Sequence, residues 1–163
     1  MNRVRILGIG SPSGDDQAGW LTVDALADCG VRGNHGLAID KLDRPGASLI
    51  GLLDNTDWVI LVDAMQSGDR PGRVKRFDQD AWPDYTHGLS SHGLGVLDAL
   101  SLARALGKLP PRVDLYGIEI GLAYPGEPAS AEIRDAARHL AGHIAADLAA
   151  FVSGGIAPIL NAI

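Results

Sequence analysis

Four positions in this 163-residue chain carry side chains placed for chemistry: the adjacent Asp15 and Asp16, then Asp63 and His92. The acid pair follows a glycine-rich run, Gly8-Ile9-Gly10-Ser11-Pro12-Ser13-Gly14, and Asp63 closes the apolar run WVILVDA. A carboxylate ending a buried strand costs several kcal/mol unless a partner or a metal holds it. Its plainer role would be to accept backbone N–H bonds from the turn at residues 65–68. His92 opens a helical stretch, where the helix dipole favours a neutral imidazole able to ligate. Two carboxylates and one imidazole make a donor set suited to a divalent first-row metal with open coordination positions. Taken singly, Asp15 can serve as a helix-dipole acid and His92 as a structural residue.

Competing chemistries fit less well. The glycine run resembles a dinucleotide-binding turn, in which a pyrophosphate rests on the next helix's N-terminus. Here Asp15 and Asp16 occupy that spot and would repel it, and Ser13 stands where the third glycine belongs. His139 and His143 have the i, i+4 spacing of a metalloprotease helix, but Leu140 follows His139 in place of the general base. Both fall off that helix's apolar stripe and are expected on its solvated face. Neighbours such as Ser91 and His92 at a helix start rarely point at each other, and no G-x-S-x-G elbow is present, which argues against a serine hydrolase.

These side chains need elements to position them. Residues 4–9 read as a buried strand feeding the glycine turn, and residues 15–27 as a helix with the acids in its first turn. Residues 36–42 are a second strand, 46–53 a short amphipathic helix, and 72–77 an edge strand. Residues 57–64 form the central strand, because their apolar run is continuous and β-branched. Residues 81–90 read as a loop. Ser90 or Ser91 then caps a helix that runs to Leu106 and is stopped by Pro110-Pro111. Residues 113–120 alternate as a strand. Residues 130–151 form a long helix with Ile133, Ala137, Leu140, Ile144 and Leu148 on one face. One domain spanning residues 1–163 is expected, with 154–163 as a loose tail.

Alternating strands and helices imply an α/β fold, a three-layer α/β/α sandwich around a twisted, largely parallel sheet of about five strands. Ligands of such sheets sit at the carboxyl ends of the strands. That edge would hold Asp15, Asp16, Asp40, Asp63, His92 and Glu119. A row of acids with one histidine favours a cation over a phosphate.

Composition narrows the partners. Twenty acidic residues against fourteen basic ones give a net charge of −6, which argues against nucleic acid or an anionic membrane as a partner. Cys29 is the single cysteine, so an intrachain disulfide, an iron–sulfur cluster and a cysteine-built zinc site are excluded. That usage suits a reducing cytoplasm. The N-terminal apolar run is too short for a signal peptide, and no stretch approaches the ~20 apolar residues of a membrane span.

Three blocks, GIGSPSGDDQAG, WVILVDAMQSGDRPGRV and SSHGLGVLDALSLARALGKLP, resemble in order and spacing the [NiFe]-hydrogenase maturation endopeptidases. IDKLDRPGASLIGLL and YGIEI fit the same pattern. The resemblance runs from Met1 to about Ile120 and returns weakly over the last helix. It implies an endopeptidase of the aspartyl type that removes a C-terminal extension from a hydrogenase large-subunit precursor once nickel is inserted. The family's metal-contacting residues fall on Asp16, Asp63 and His92, and the two aspartates are the expected catalytic carboxylates. On the same edge, Asp40 and Gly10 are the expected substrate contacts. Nickel would belong to the substrate, held by the precursor's cysteines and read by this chain's oxygen and nitrogen donors. A module on the same fold that binds the metal without cutting would present the same donors, and a nucleotide binder is the remaining alternative. Ser11 replaces the family's usual Asn and Gln17 its usual Gly, and residues 122–130 also depart from the family pattern.

Overall fold

The computed structural model describes residues 3–77, 79–80, 82 and 95–154. Five strands, β1 (Val4–Gly10), β2 (Leu37–Asp43), β3 (Trp58–Met65), β4 (Val74–Phe77) and β5 (Arg112–Glu119), form one sheet in the order β2-β1-β3-β5-β4. All neighbours are parallel except β4, which runs antiparallel to β5 at the edge. Every residue of β3 is buried, as its unbroken apolar run requires, whereas the edge strand β4 mixes buried and exposed positions and β2 has half-buried and exposed ones.

Helices α1 (Ala18–Asp28) and α3 (Ala131–Val152) pack together on one face of the sheet. Ile133, Ala137, Leu140, Ile144 and Leu148 of α3 meet Ile6, Ile60, Val62 and Ile118 there. The other face is covered by α2 (Val96–Ala105) and by residues Gly46–Leu53, where Leu49, Leu53, Leu97 and Leu100 meet Leu7, Leu61 and Leu115. The three-layer α/β sandwich is therefore as expected. Among the described residues no helix is long and apolar enough to cross a membrane.

Several boundaries differ. Residues Gly46–Leu53 are a 3-10 helix, whose tighter winding suits a short connector. The helix expected over residues 15–27 divides in two: Gly14–Gln17 is a separate 3-10 turn carrying both acids, and α1 begins at Ala18. Ser90 and Ser91, the expected caps of the next helix, and most of the expected tail lie outside the described residues.

Chain order creates a switch point, because β1 is followed outward by β2 on one side and by β3 on the other. Pairing of β1 with β3 stops at Gly8 and Val62, although β1 stays with β2 as far as Asp43 and β3 stays with β5 as far as Glu119. Gly19 of α1 sits over the point where they part. A Cβ there would lie 2.2 Å from the Ile9 carbonyl oxygen and 2.5 Å from that of Val62. Gly8 is equally tight, with the Gly19 carbonyl oxygen 2.4 Å from its would-be Cβ.

A backbone clash of this kind has no flexible side chain to absorb it, so Gly19→Ala should destabilise the fold by about 3 kcal/mol, the upper end for overpacking. Gly142→Ala, mid-helix in α3 with nothing within 4 Å of its would-be Cβ, should instead stabilise by about 0.5–1 kcal/mol. Urea denaturation of the two variants checks both signs.

Candidate functional site

At the carboxyl edge, where β1 and β3 part, the turn that carries Asp15 and Asp16 meets the strand that carries Asp63. The Gly14–Gln17 turn leads from β1 into α1 and lies against β3. Within it the two adjacent acids take different tasks. Asp15 reaches forward to α3, accepting hydrogen bonds from the Ser130 amide at 2.7 Å and the Ser130 hydroxyl at 3.2 Å. It therefore places a negative charge at the start of α3, not of α1 as the sequence suggested. Asp16 turns the other way. Its carboxylate accepts the hydroxyl hydrogen of buried Ser11. Its own amide donates to the Ser13 carbonyl at 2.9 Å, and its carbonyl accepts from the Ser11 amide at 3.3 Å.

Asp63 is fully buried, at 0% exposure. Its flanking residues Val62 and Ala64 belong to the core beneath α1 and α3, so strand alternation turns Asp63 to the opposite, α2-bearing face. There it lies one residue beyond the last β1–β3 pair and beside Gly117 of β5. One carboxylate oxygen accepts the Ala64 amide at 2.8 Å. Asp63 does not end its strand, since β3 continues to Met65. Nor does it supply the acceptor for the turn that follows. Glu119 does so, accepting from the Ser67 amide (2.9 Å), the Ser67 hydroxyl (2.8 Å) and the Asp69 amide (3.0 Å). Glu119 is thus the anchor of the loop after β3.

Asp40 is not at the carboxyl edge. It is the fourth of seven residues in β2, level with Leu7, and pairs with Arg5 at 3.3 Å. The carboxylate that does close β2 is Asp43, level with Gly10 and paired at 2.7 Å with Arg44. Arg44 adopts a left-handed conformation (φ 43°) and donates its amide to the Gly10 carbonyl at 3.3 Å. Its guanidinium pKa is raised by the hydrogen bond to Asp43 and by the charges of Asp43 and Asp16, which places a cation among the edge acids. Gly10 has a packing reason to be glycine, because a Cβ would lie 2.7 Å from the Asp16 carbonyl oxygen. Sequence reading missed Asp43, Arg44 and the Ser11–Asp16 bond. Extending the second strand by one residue would have found the first two.

His92 lies outside the described residues. His143, expected on a solvated helix face, is instead partly buried, with Nε2 3.5 Å from Asp147 and its ring edge-on to Tyr116 at 6.0 Å. Burial pushes the Tyr116 phenol pKa upward, and the charges of Asp114 and Asp147 push the same way. These groups lie on the α3 face of the sheet and are separate from the carboxyl edge. An open depression of about 580 Å³, lined by Arg3, Asp54, Asn55, Asp57, Lys108 and Pro110, lies at the opposite, amino edge.

What the carboxyl edge offers chemically is oxygen donors. Asp16 and Asp63 could both ligate a divalent ion or hold a proton, and Ser11 fixes the orientation of one of them.

Comparison with known proteins gives this edge a family. The family model for hydrogenase maturation proteases (HycI) matches residues 45–147. The hydrogenase 2 maturation protease of Escherichia coli is 31% identical over 121 residues, covering 71% of this chain and 72% of that protein. The hydrogenase expression/formation protein HupD of Bradyrhizobium diazoefficiens is 30% identical over 139 residues, covering 82% of this chain and 71% of its own length. The solved structure of the hydrogenase maturating endopeptidase HybD from E. coli superposes with a TM-score of 0.76 at 25% identity, covering 93% of this chain and 94% of that one. The chain belongs to the hydrogenase maturation protease family.

Proposed function

We propose that this protein is the endopeptidase that removes the C-terminal extension of a [NiFe]-hydrogenase large-subunit precursor after nickel insertion, and that it does so in the cytoplasm. The observation that carries this reading is a fully buried Asp63 at the β1–β3 parting, with Asp16 on the adjoining turn. Carboxylates at a ligand-binding edge are hard oxygen donors, and a metal cation is the ligand they suit. In this reading the cation is the precursor's own nickel. Asp16 and Asp63, together with His92, complete the coordination of a metal whose other ligands are precursor thiolates. A single cysteine in this chain, Cys29 at the end of α1 and exposed, is consistent with thiolates that come from the substrate.

Anchoring the nickel fixes the neighbouring peptide bond against this edge, so rate is gained through positioning. The metal can also polarise the scissile carbonyl or lower the pKa of an attacking water. Ser11 keeps the Asp16 carboxylate in one orientation before substrate arrives.

Intact-mass spectrometry of precursor mixed with enzyme is the direct test. Nickel-loaded precursor should lose its extension and nickel-free precursor should stay intact. Asp16→Asn and Asp63→Asn should each slow processing by about a hundredfold or more, the cost of misplacing a bound substrate. Wild-type rates for both variants, or equal cleavage of the nickel-free precursor, would overturn the assignment. Ser11→Ala should lower the rate about tenfold, since a charge-assisted hydrogen bond is worth roughly 1.5–3 kcal/mol. The adjacent acid gives the internal contrast. Asp15→Ala should cost about 1 kcal/mol in thermal unfolding through the lost contact with the α3 terminus, and should slow processing far less than Asp16→Asn.

A further inference from the structure

The segment joining β5 to α3, residues 121–130, runs along the same carboxyl edge and is tied down from several sides. Gln66 Nε2 donates to the Gly121 carbonyl at 2.7 Å, and the Gly14 amide donates to the Glu127 carbonyl at 3.1 Å. Gln17 Nε2 adds a longer bond to the Glu127 carbonyl at 3.4 Å. The Glu127 amide closes back on the Tyr124 carbonyl at 3.3 Å, and Ser130 is held by Asp15. Gly14, with φ 51°, lets the loop ride directly on the Asp16 turn: its would-be Cβ is only 3.4 Å from the Tyr124 amide nitrogen. Pro125 and Pro128 restrict the backbone further.

On this anchored backbone two large apolar side chains face solvent, Leu122 at 76% exposure and Tyr124 at 51%. The other exposed large hydrophobics among the described residues, Leu102, Leu106 and Val152, belong to the later turns and ends of α2 and α3. Those helices run back along the sheet, so these residues lie towards its amino edge. Leu122 and Tyr124 are therefore the described apolar pair on the loop that is bonded to the Asp16 turn and to Gln66 after β3. Exposed apolar groups held on ordered backbone are ready anchors, because little conformational entropy remains to be lost on binding.

We propose that Leu122 and Tyr124 form the docking surface for the polypeptide substrate, seating an apolar segment of the large-subunit precursor next to the bond presented to Asp16 and Asp63. This rests on the endopeptidase reading and adds to it a second contact, one that reads the chain and not the metal. It also gives a physical role to the loop that departs from the family's usual sequence: apolar side chains on this edge select the precursor, and the acids select its nickel. Gln17 belongs to the same device, since its amide clamps the loop to the Asp16 turn.

The experiment uses the full chain and a nickel-loaded large-subunit precursor from the same organism, with Leu122→Ser, Tyr124→Ala and the double variant. Processing kinetics and direct binding by titration calorimetry are measured together. The KM of each single variant should rise about tenfold, as on truncating an anchor side chain, with kcat within about twofold of wild type. Thermal unfolding should not change, because neither side chain is in the core. Tyr124→Phe should retain most of the affinity. Unchanged KM and unchanged binding in the double variant would overturn the proposal. If wild type binds precursor without cutting it and the double variant loses that binding, the docking surface stands and the endopeptidase reading falls. If wild type neither binds nor cuts, both fall.

Discussion

Helix α1 crosses β1 and β3 with no room for a side chain at Gly19, and the geometry of the carboxyl edge follows from that contact. A helix this close to two strands can sit only over their backbones, between the carbonyls of Ile9 and Val62. It covers the point where β1 and β3 cease to pair, one residue before Asp63. The chain must then travel from Gly10 to Ala18 within a few residues, and a 3-10 turn is the compact way to do it. That turn brings Asp16 against β3. Gly8 serves the same close approach, and Gly10 makes room for the Asp16 carbonyl of the turn that follows.

The acids of this chain are best sorted by what donates to them. Glu119 is engaged by three donors of the loop after β3, and Asp15 by both donors of Ser130. Asp114, nearly fully buried, accepts from the Trp58 indole at 2.8 Å and from Arg112 at 3.0 Å, and also pairs with Arg76. Such carboxylates hold elements together, and their cost of burial is offset within the fold. Asp16 and Asp63 stand at the carboxyl edge, where sheets of this kind bind ligands: Asp16 accepts from the Ser11 hydroxyl and its charge acts on the Arg44 guanidinium, and Asp63 accepts the Ala64 amide.

Much of this was legible in the sequence because it depends on local pattern. The apolar run at residues 57–64, the polar–apolar alternation before Glu119 and the long stripe of the last helix each produced the element expected, within a residue or two. Long-range pairing was not legible. Nothing near Asp15 announces that its partner is Ser130, 115 residues away, or that Glu119 and not Asp63 holds the turn after β3. The placement of Asp40 failed by register: the second strand runs through Asp43, so three residues separate Asp40 from the edge. His143 was misplaced because a single apolar stripe underestimates how much of α3 is covered. Packed against both α1 and the sheet, it buries Asp147 as well, and the histidine lies against that acid and Tyr116.

The carboxyl edge behaves mechanically as one assembly. The Glu127 carbonyl binds the Gly14 amide, the Gly14 turn carries Asp16, Asp15 of that turn holds Ser130 at the head of α3, and Gln66 beyond β3 holds Gly121. Three segments far apart in sequence, at residues 14–17, 66 and 121–130, are thus joined at the edge by a handful of polar bonds. The apolar cores on the two sheet faces need none of them. Loops usually tolerate sequence change because few contacts constrain them, but here a change in residues 121–130 is transmitted to the turn that aims Asp16. An enzyme whose substrate is itself a protein has use for such coupling. The backbone bond that holds the loop also holds the turn bearing Asp16, so the loop and that acid keep a fixed relation to each other.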